Sequence, residues 1–468
     1  MVTRISASPP GSSGLPTPRR YTAILAVSLG TILTTIDGSI VNVALPTLAR
    51  DLHVQPSAAV MVITIYQLML MMTLLPFSAL GDRYGHRTMY QYGQLIFVVA
   101  TLLCFFAESL PFLVLVRGFQ ALGAAAALSV GPAMIRSIYP SSQLGRGLSL
   151  NTIIATAAAS IAPTVGGAIL AFAPWPWLFA IVVPFGLLSI LIGRKSLPEG
   201  KRHDEPYDVL GAVLCAAMFG LSISGLESAV NGDSPVVSAA LVALGIGLGV
   251  FFVRRELGQT RPVLPVDLLR LKTIALPTFG SLAAYLGMMM VTVTLPFRLQ
   301  QEFHFSPAAA GAMLAPMPLI SLVVAPTAGL LSDRYPAGAL GAIGMAIVTA
   351  GMVSLAFLPA SPDHFDILWR VSVCGLGTGM FFSPNARQIV ASAPATRTAA
   401  AGALFSTTRG VGQTLGATLV AALLALGAGA GPAPSLIAAT LAIIAGLCSL
   451  AVLRPATRIT SFVDLPEP

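Results

Sequence analysis

This sequence predicts an all-α polytopic membrane protein with fourteen transmembrane helices. Three observations carry that prediction. Of 468 residues, 55% are hydrophobic and 9% charged, and the mean hydropathy is +0.84; a soluble domain has about a quarter of its residues charged. Apolar runs of ~20 residues, enough helix to cross the hydrocarbon core, recur from end to end. Basic residues crowd into alternate connections, as they do on one side of a membrane. A string of soluble domains is excluded, because the chain lacks the polar residues to cover their surfaces. A nucleic-acid binder is excluded too, since 26 Lys and Arg spread over 468 residues form no dense patch.

The elements follow in order. Residues 1–20 are polar, a cytoplasmic segment; the apolar run from Tyr21 is too long for a signal core and has no small-residue cleavage site. Spans near 21–46, 57–80, 88–107, 110–135, 148–172 and 176–193 make an N-terminal six-helix bundle, 21–193. A linker at 194–207 leads to an inserted pair, 208–253, with spans at 208–228 and 235–253. The linker at 254–272 holds an amphipathic stretch, Val266 to Leu271, expected to lie along the interface. Spans near 273–297, 307–331, 338–360, 364–386, 399–427 and 433–453 make a C-terminal six-helix bundle, 273–453, followed by a tail at 454–468. Barrel strands would be short and alternating, so these runs are helices. Pro163 in span 5 and Pro316, Pro318 and Pro326 in span 10 predict bends.

Charge fixes the expected orientation. With the N-terminus cytoplasmic, 21 basic residues fall inside, two outside (Arg50, Arg298) and three within spans (Arg117, Arg370, Arg409). The net balance is +11 inside and −5 outside, which places both termini in the cytoplasm. The two bundles also repeat. Val41 to Pro46 reappears as Val291 to Pro296, Leu80-Gly-Asp82-Arg83-Tyr84 as Leu331-Ser-Asp333-Arg334-Tyr335, and Arg117 as Arg370. Matched polar residues at nearly one offset argue for a duplicated six-helix unit. Parallel repeats of this kind are a transporter architecture, with the substrate site between the halves.

Those segments carry a family resemblance. Gly81-Asp82-Arg83-Tyr84-Gly85-His86-Arg87 resembles the signature loop of the major facilitator superfamily. Ile36-Asp37-Gly38-Ser39-Ile40-Val41-Asn42-Val43-Ala44-Leu45-Pro46 resembles span 1 of its fourteen-span drug:proton antiporter branch. Arg117-Gly-Phe-Gln120-Ala-Leu-Gly123 is similar to the span-4 motif, and Ala162-Pro163-Thr-Val-Gly166-Gly167 to the span-5 motif of antiporters. The resemblance implies the major facilitator fold and a proton-driven exporter in a bacterial cytoplasmic membrane. It also implies that Asp37 binds the proton, and that the Asp82–Arg87 loop stabilises the outward-open state.

Asp37 is the only carboxylate placed deep in a span, ~13 Å inside the Pro46 end. A charged Asp there costs roughly 2.5–3.5 kcal/mol, so its presence calls for a function. The bland alternative is a structural Asp bonded to Thr34 or Thr35. Arg117 sits at nearly the same depth and is positioned to pair with it, or else to bond backbone carbonyls. Asp82, Arg83, Gly85 and Arg87 form a short loop in which Asp82 can reach a helix N-terminus; alternatively the loop is a solvated turn. Pro163, Gly166 and Gly167 allow a hinge or a close helix approach, or ordinary membrane packing. Asn42, Tyr66, Gln67, Tyr285, Arg370 and Arg409 are candidate cavity residues. Met69, Met71, Met72 and Met288 to Met290 nearby suit a soft cavity, or simply face lipid and other helices.

The expected function is multidrug efflux by alternating access: lipophilic cations or neutral amphiphiles leave as protons enter, in a monomer that needs no cofactor beyond the proton gradient. A specific metabolite exporter or importer is the alternative. No GK[ST] phosphate loop occurs, and a lone Asp37 assembles no enzyme site. The four cysteines have no metal or disulfide spacing.

Overall fold

The computed structural model describes residues 14–140, 143–199, 208–230, 234–258, 265–394, 397–429 and 431–453. The expected tail at 454–468, most of the N-terminal segment and parts of both linkers lie outside these residues.

Every predicted span is helical. The N-terminal half holds α1 (Thr17–Asp51), α2 (Pro56–Tyr84), α3 (His86–Phe105), α4 (Leu110–Ile138), α5 (Leu144–Phe172), and the pair α6 (Trp177–Ala180) and α7 (Val183–Ser196). The inserted hairpin is α8 (Val209–Val230) and α9 (Pro235–Glu256). The C-terminal half holds α10 (Lys272–Phe297), α11 (Pro307–Leu314), α12 (Pro316–Leu331), α13 (Ala337–Ala356), α14 (His364–Ala391), α15 (Thr398–Ala425) and α16 (Ala433–Leu453). Among the described residues, 13 spans are long and apolar enough to cross a membrane. The remaining one, α15, is 28 residues long but carries Arg409, Gln413 and several threonines. Prolines explain the two interrupted spans. Pro184 offers no N–H to the carbonyl of Ala180, so α6 and α7 separate; Pro316 and Pro318 do the same between α11 and α12.

The duplication extends to backbone conformation. Each half's first helix ends at a histidine in the left-handed region, His53 at φ 54° and His304 at φ 55°. Positive φ is uncommon outside glycine, so a matched pair marks the same chain reversal built twice.

Packing separates the ends of the molecule. Where the chain ends lie, one apolar cluster joins α1, α3, α4 and α7 through Ala23, Tyr90, Val130 and Met134, all in the N-terminal half. A second joins Ile274, Ile389, Ala401 and Leu404, all in the C-terminal half. At the far end one cluster spans both halves, mixing Ile40, Leu45 and Val60 with Met290, Val293, Phe297 and Val420. The halves are thus sealed at the far end and parted where the termini lie. The α8–α9 hairpin packs outside this body, across α2 and α15.

The amphipathic stretch is anchored by its own contacts. Val266–Arg270 is a short 3-10 turn whose Leu268 is buried with Ile274 and Leu404, while Asp267 pairs with Arg397 at the start of α15. It is docked on the C-terminal half.

Candidate functional site

The N-terminal bundle closes around one polar network. Asp37 of α1 is 0% exposed and Arg117 of α4 is 1% exposed. Arg117 donates to Asp37 Oδ2 at 2.7 Å, and Gln120, one turn along α4, donates to Asp37 Oδ1 at 2.9 Å. Arg117 also donates to Gln120 Oε1 at 2.5 Å and to the Val62 carbonyl at 3.3 Å. The Gln120 amide reaches Thr101 Oγ1 of α3 at 2.7 Å. Tyr66 of α2 lies under the guanidinium, its ring centre 4.3 Å away. Each carboxylate oxygen of Asp37 has a donor, which is what lets a charged pair persist in a low-dielectric interior. Thr34, the alternative partner, bonds the Gly30 carbonyl of its own helix. Asp37 therefore points into the bundle. Gly38 beside it is the residue with open space in front of it.

The glycines of α5 sit where the halves meet. A Cβ on Gly167 would stand 3.0 Å from Ala308 Cα, and one on Gly311 of α11 would stand 3.1 Å from Gly167 Cα. Only paired glycines allow backbones so close. The preceding residue, Gly166, faces Ile40. Gln300 completes the far seal, donating to the Val43 carbonyl at 3.0 Å and lying 3.5 Å from Thr47 Oγ1.

The Asp82–Arg87 loop sits at the parted end. Gly85, at φ 98°, makes the turn between α2 and α3. Asp82 bonds His86 at 2.9 Å in its own loop, contrary to the expected reach to a neighbouring helix N-terminus. Arg83 stacks on Tyr84, and Arg87 bonds Glu199 at 3.1 Å and the Arg194 carbonyl. All these partners lie in the N-terminal bundle or the start of the linker that follows it. The C-terminal counterpart behaves alike: Asp333 pairs with Arg387 of α14.

A family model of the Major Facilitator Superfamily matches residues 27–208 and 278–465. The chain belongs to the Major Facilitator Superfamily. It is 42% identical to the uncharacterized transporter YebQ of Escherichia coli strain K12, over 96% of this chain and 99% of that one. It is 28% identical to the riboflavin transporter RibZ of Clostridioides difficile strain 630, over 85% and 87%. It is 25% identical to the multidrug efflux pump LfrA of Mycolicibacterium smegmatis, over 97% and 92%. The superfamily and these relatives make it a transporter and an integral membrane protein, not an enzyme.

Several candidates take other places in this superfamily fold. Arg370 does not mirror Arg117: it bonds Asp366 Oδ1 at 2.9 Å and stacks on Trp369, within the first turns of its own helix. The methionines do not form one cavity. Met69 and Met61 line an outer groove between α2 and α4, Met71 packs on Gly410, Met72 on Gly220, and Met290 is buried in the far seal. Asn42 and Gln67 are buried, at 6% and 9% exposure. Tyr285 stacks on Phe382 with ring centres 4.2 Å apart and meets Phe405 edge-on at 6.0 Å. Arg409 is exposed.

Sequence reasoning missed two residues that the structure brings forward. Gln120 was visible as an amide one turn from Arg117 on the same face, a spacing that makes helix neighbours. Glu227 was taken as a loop acid, but it lies inside α8 facing Thr64 of α2, with one oxygen buried. Asp37 is therefore not the only carboxylate within the spans.

Proposed function

We propose that this transporter exports amphiphilic small molecules in exchange for protons, by alternating access. One observation carries the reading: the Asp37–Arg117–Gln120 network, an ion pair buried at membrane depth. Such a pair is held only while Asp37 is charged; a proton on the carboxylate removes the attraction and leaves Arg117 to find new partners. The excess of basic residues on the side of the termini supports a cytoplasmic location for that side and a bacterial inner-membrane setting. The state described is then open inward and sealed outward, with Asp37 shut off from the cleft. When the far seal opens, external protons reach α1, Asp37 is neutralised and the halves rock. The relative named as a multidrug efflux pump supports broad cargo, and the one named as a riboflavin transporter supports a narrow one.

The test uses the full chain in proteoliposomes under an imposed pH gradient, with a panel of aromatic amphiphiles. Proton movement linked to particular compounds is expected, and Asp37→Asn should abolish that linkage while leaving the protein folded. Coupled flux that survives Asp37→Asn would overturn the reading.

A further inference from the structure

Arg409 is the charge that the network above leaves unused. It is the twelfth residue of α15, so it lies ~17 Å from the start of that helix, well inside a membrane. Helix α15 is flanked by α2, α8, α10 and α14, with the α8–α9 hairpin covering its outer side. Gly410 beside it faces Met71 of α2 and Gly412 faces Tyr285 of α10, so the exposed Arg409 lies on the side of α15 between those two helices, where the halves meet. The neighbouring stripe agrees: Gly402 has open space before it, and Phe405 and Ser406 are half-buried. Among the described residues Arg409 has no ion-pair partner. The carboxylate of the N-terminal bundle, Asp37, is fully engaged by Arg117 and Gln120. A lone Arg within a bundle, facing a cavity, marks a substrate path. Arg409 stands one turn along α15 from Phe405, whose ring meets that of Tyr285 edge-on, and Tyr285 in turn stacks on Phe382. A planar fork of donors thus stands beside an aromatic wall.

We infer that the cleft takes planar aromatic compounds bearing an anionic group, with Arg409 as counter-charge and the Tyr285–Phe382–Phe405 wall as the surface for the ring. This rests on the transport reading above and reverses the cationic preference expected from the sequence. A guanidinium pairs a carboxylate or sulfonate through two parallel donors, and its repulsion excludes organic cations of the same shape.

Three naphthalene probes of one shape test it: naphthalene-2-sulfonate, naphthalene-2-sulfonamide and trimethyl(naphthalen-2-ylmethyl)ammonium. Binding to the purified full chain is followed by tryptophan quenching, and pH-driven flux is followed in proteoliposomes. The sulfonate should bind about tenfold or more tightly than the ammonium probe. Arg409→Gln should erase that difference while changing sulfonamide binding less than about twofold, and Arg409→Lys should keep part of it. Equal binding of sulfonate and ammonium, or sulfonate binding untouched by Arg409→Gln, would overturn the inference. Sulfonate preference in binding without coupled flux of any probe would instead overturn proton-driven export and leave this inference standing.

Discussion

The two halves of this transporter descend from one six-helix plan but use their membrane charges in opposite ways. The N-terminal half buries an acid and a base against each other, Asp37 with Arg117, and satisfies both with Gln120 and Tyr66. The C-terminal half has glycine, Gly287, where Asp37 would fall; its Arg370 turns to Asp366, and its deep Arg409 is exposed, without an ion-pair partner among the described residues. The reason is local. A Cβ at Gly287 would meet the Ala438 carbonyl at 3.2 Å, because α10 presses on α16 there, whereas Asp37 finds a donor-lined space between α1 and α4. Duplication supplied the helices, and packing against the neighbours decided which copy could hold a carboxylate.

The contrast can be broken most severely at the pair itself. Arg117→Leu leaves Asp37 buried without its cation, and a loss of about 3–5 kcal/mol of stability is expected, read as a lower unfolding temperature in detergent. The double variant Asp37→Asn with Arg117→Gln should recover much of that loss without recovering proton coupling. Arg370→Leu, its positional counterpart, should shift the unfolding temperature far less. Next in size is an attempt to equalise the halves. Gly287→Asp puts a carboxylate against the Ala438 carbonyl, and a cost of about 2.5–3.5 kcal/mol or more is expected, visible as poor yield and early unfolding. A stable Gly287→Asp protein with a second proton site would show that the asymmetry is not a packing effect.

Smaller changes sharpen the join between the halves. Thr47→Cys with Gln300→Cys should crosslink readily, since these side chains touch across the far seal. Adding Gly167→Leu should lower the crosslinking yield and cost about 1–3 kcal/mol, because α5 and α11 no longer close up. The smallest effect belongs to the solvated loop. His86→Ala removes an exposed bond to Asp82, and stability should change by less than about 0.5 kcal/mol, within the error of a thermal scan.

Much of this was legible in the sequence, for stated physical reasons. Span number and order follow from apolar runs of bilayer length, and the break at Pro316 follows from a missing N–H, while the one at Pro184 divides a span expected to be continuous. The Asp37–Arg117 pair was readable because two opposite charges at one depth have few alternatives in a membrane. What the sequence hid depends on rotation about helix axes. Apolar runs place both Arg370 and Arg409 within spans, but only packing shows that one bonds its own helix and the other is left exposed. The methionines scattered for the same reason. Adjacent positions such as Met71 and Met72 point 100° apart on a helix, one to Gly410 and the other to Gly220. Glu227 escaped because it falls next to the end of the predicted 208–228 span, where an acid is expected to reach water, whereas α8 runs on to Val230 with one of the acid's oxygens buried.

The hairpin α8–α9 has a consequence in parity. Each added helix reverses the side on which the chain emerges, so a single or triple insertion would have turned the second half upside down. Two helices return the chain to the side it left. The second copy then enters in the same sense as the first, and the twin reversals at His53 and His304 share one face of the membrane. Growth of this fold between its halves is thereby confined to even increments, and α8–α9 is the smallest one available.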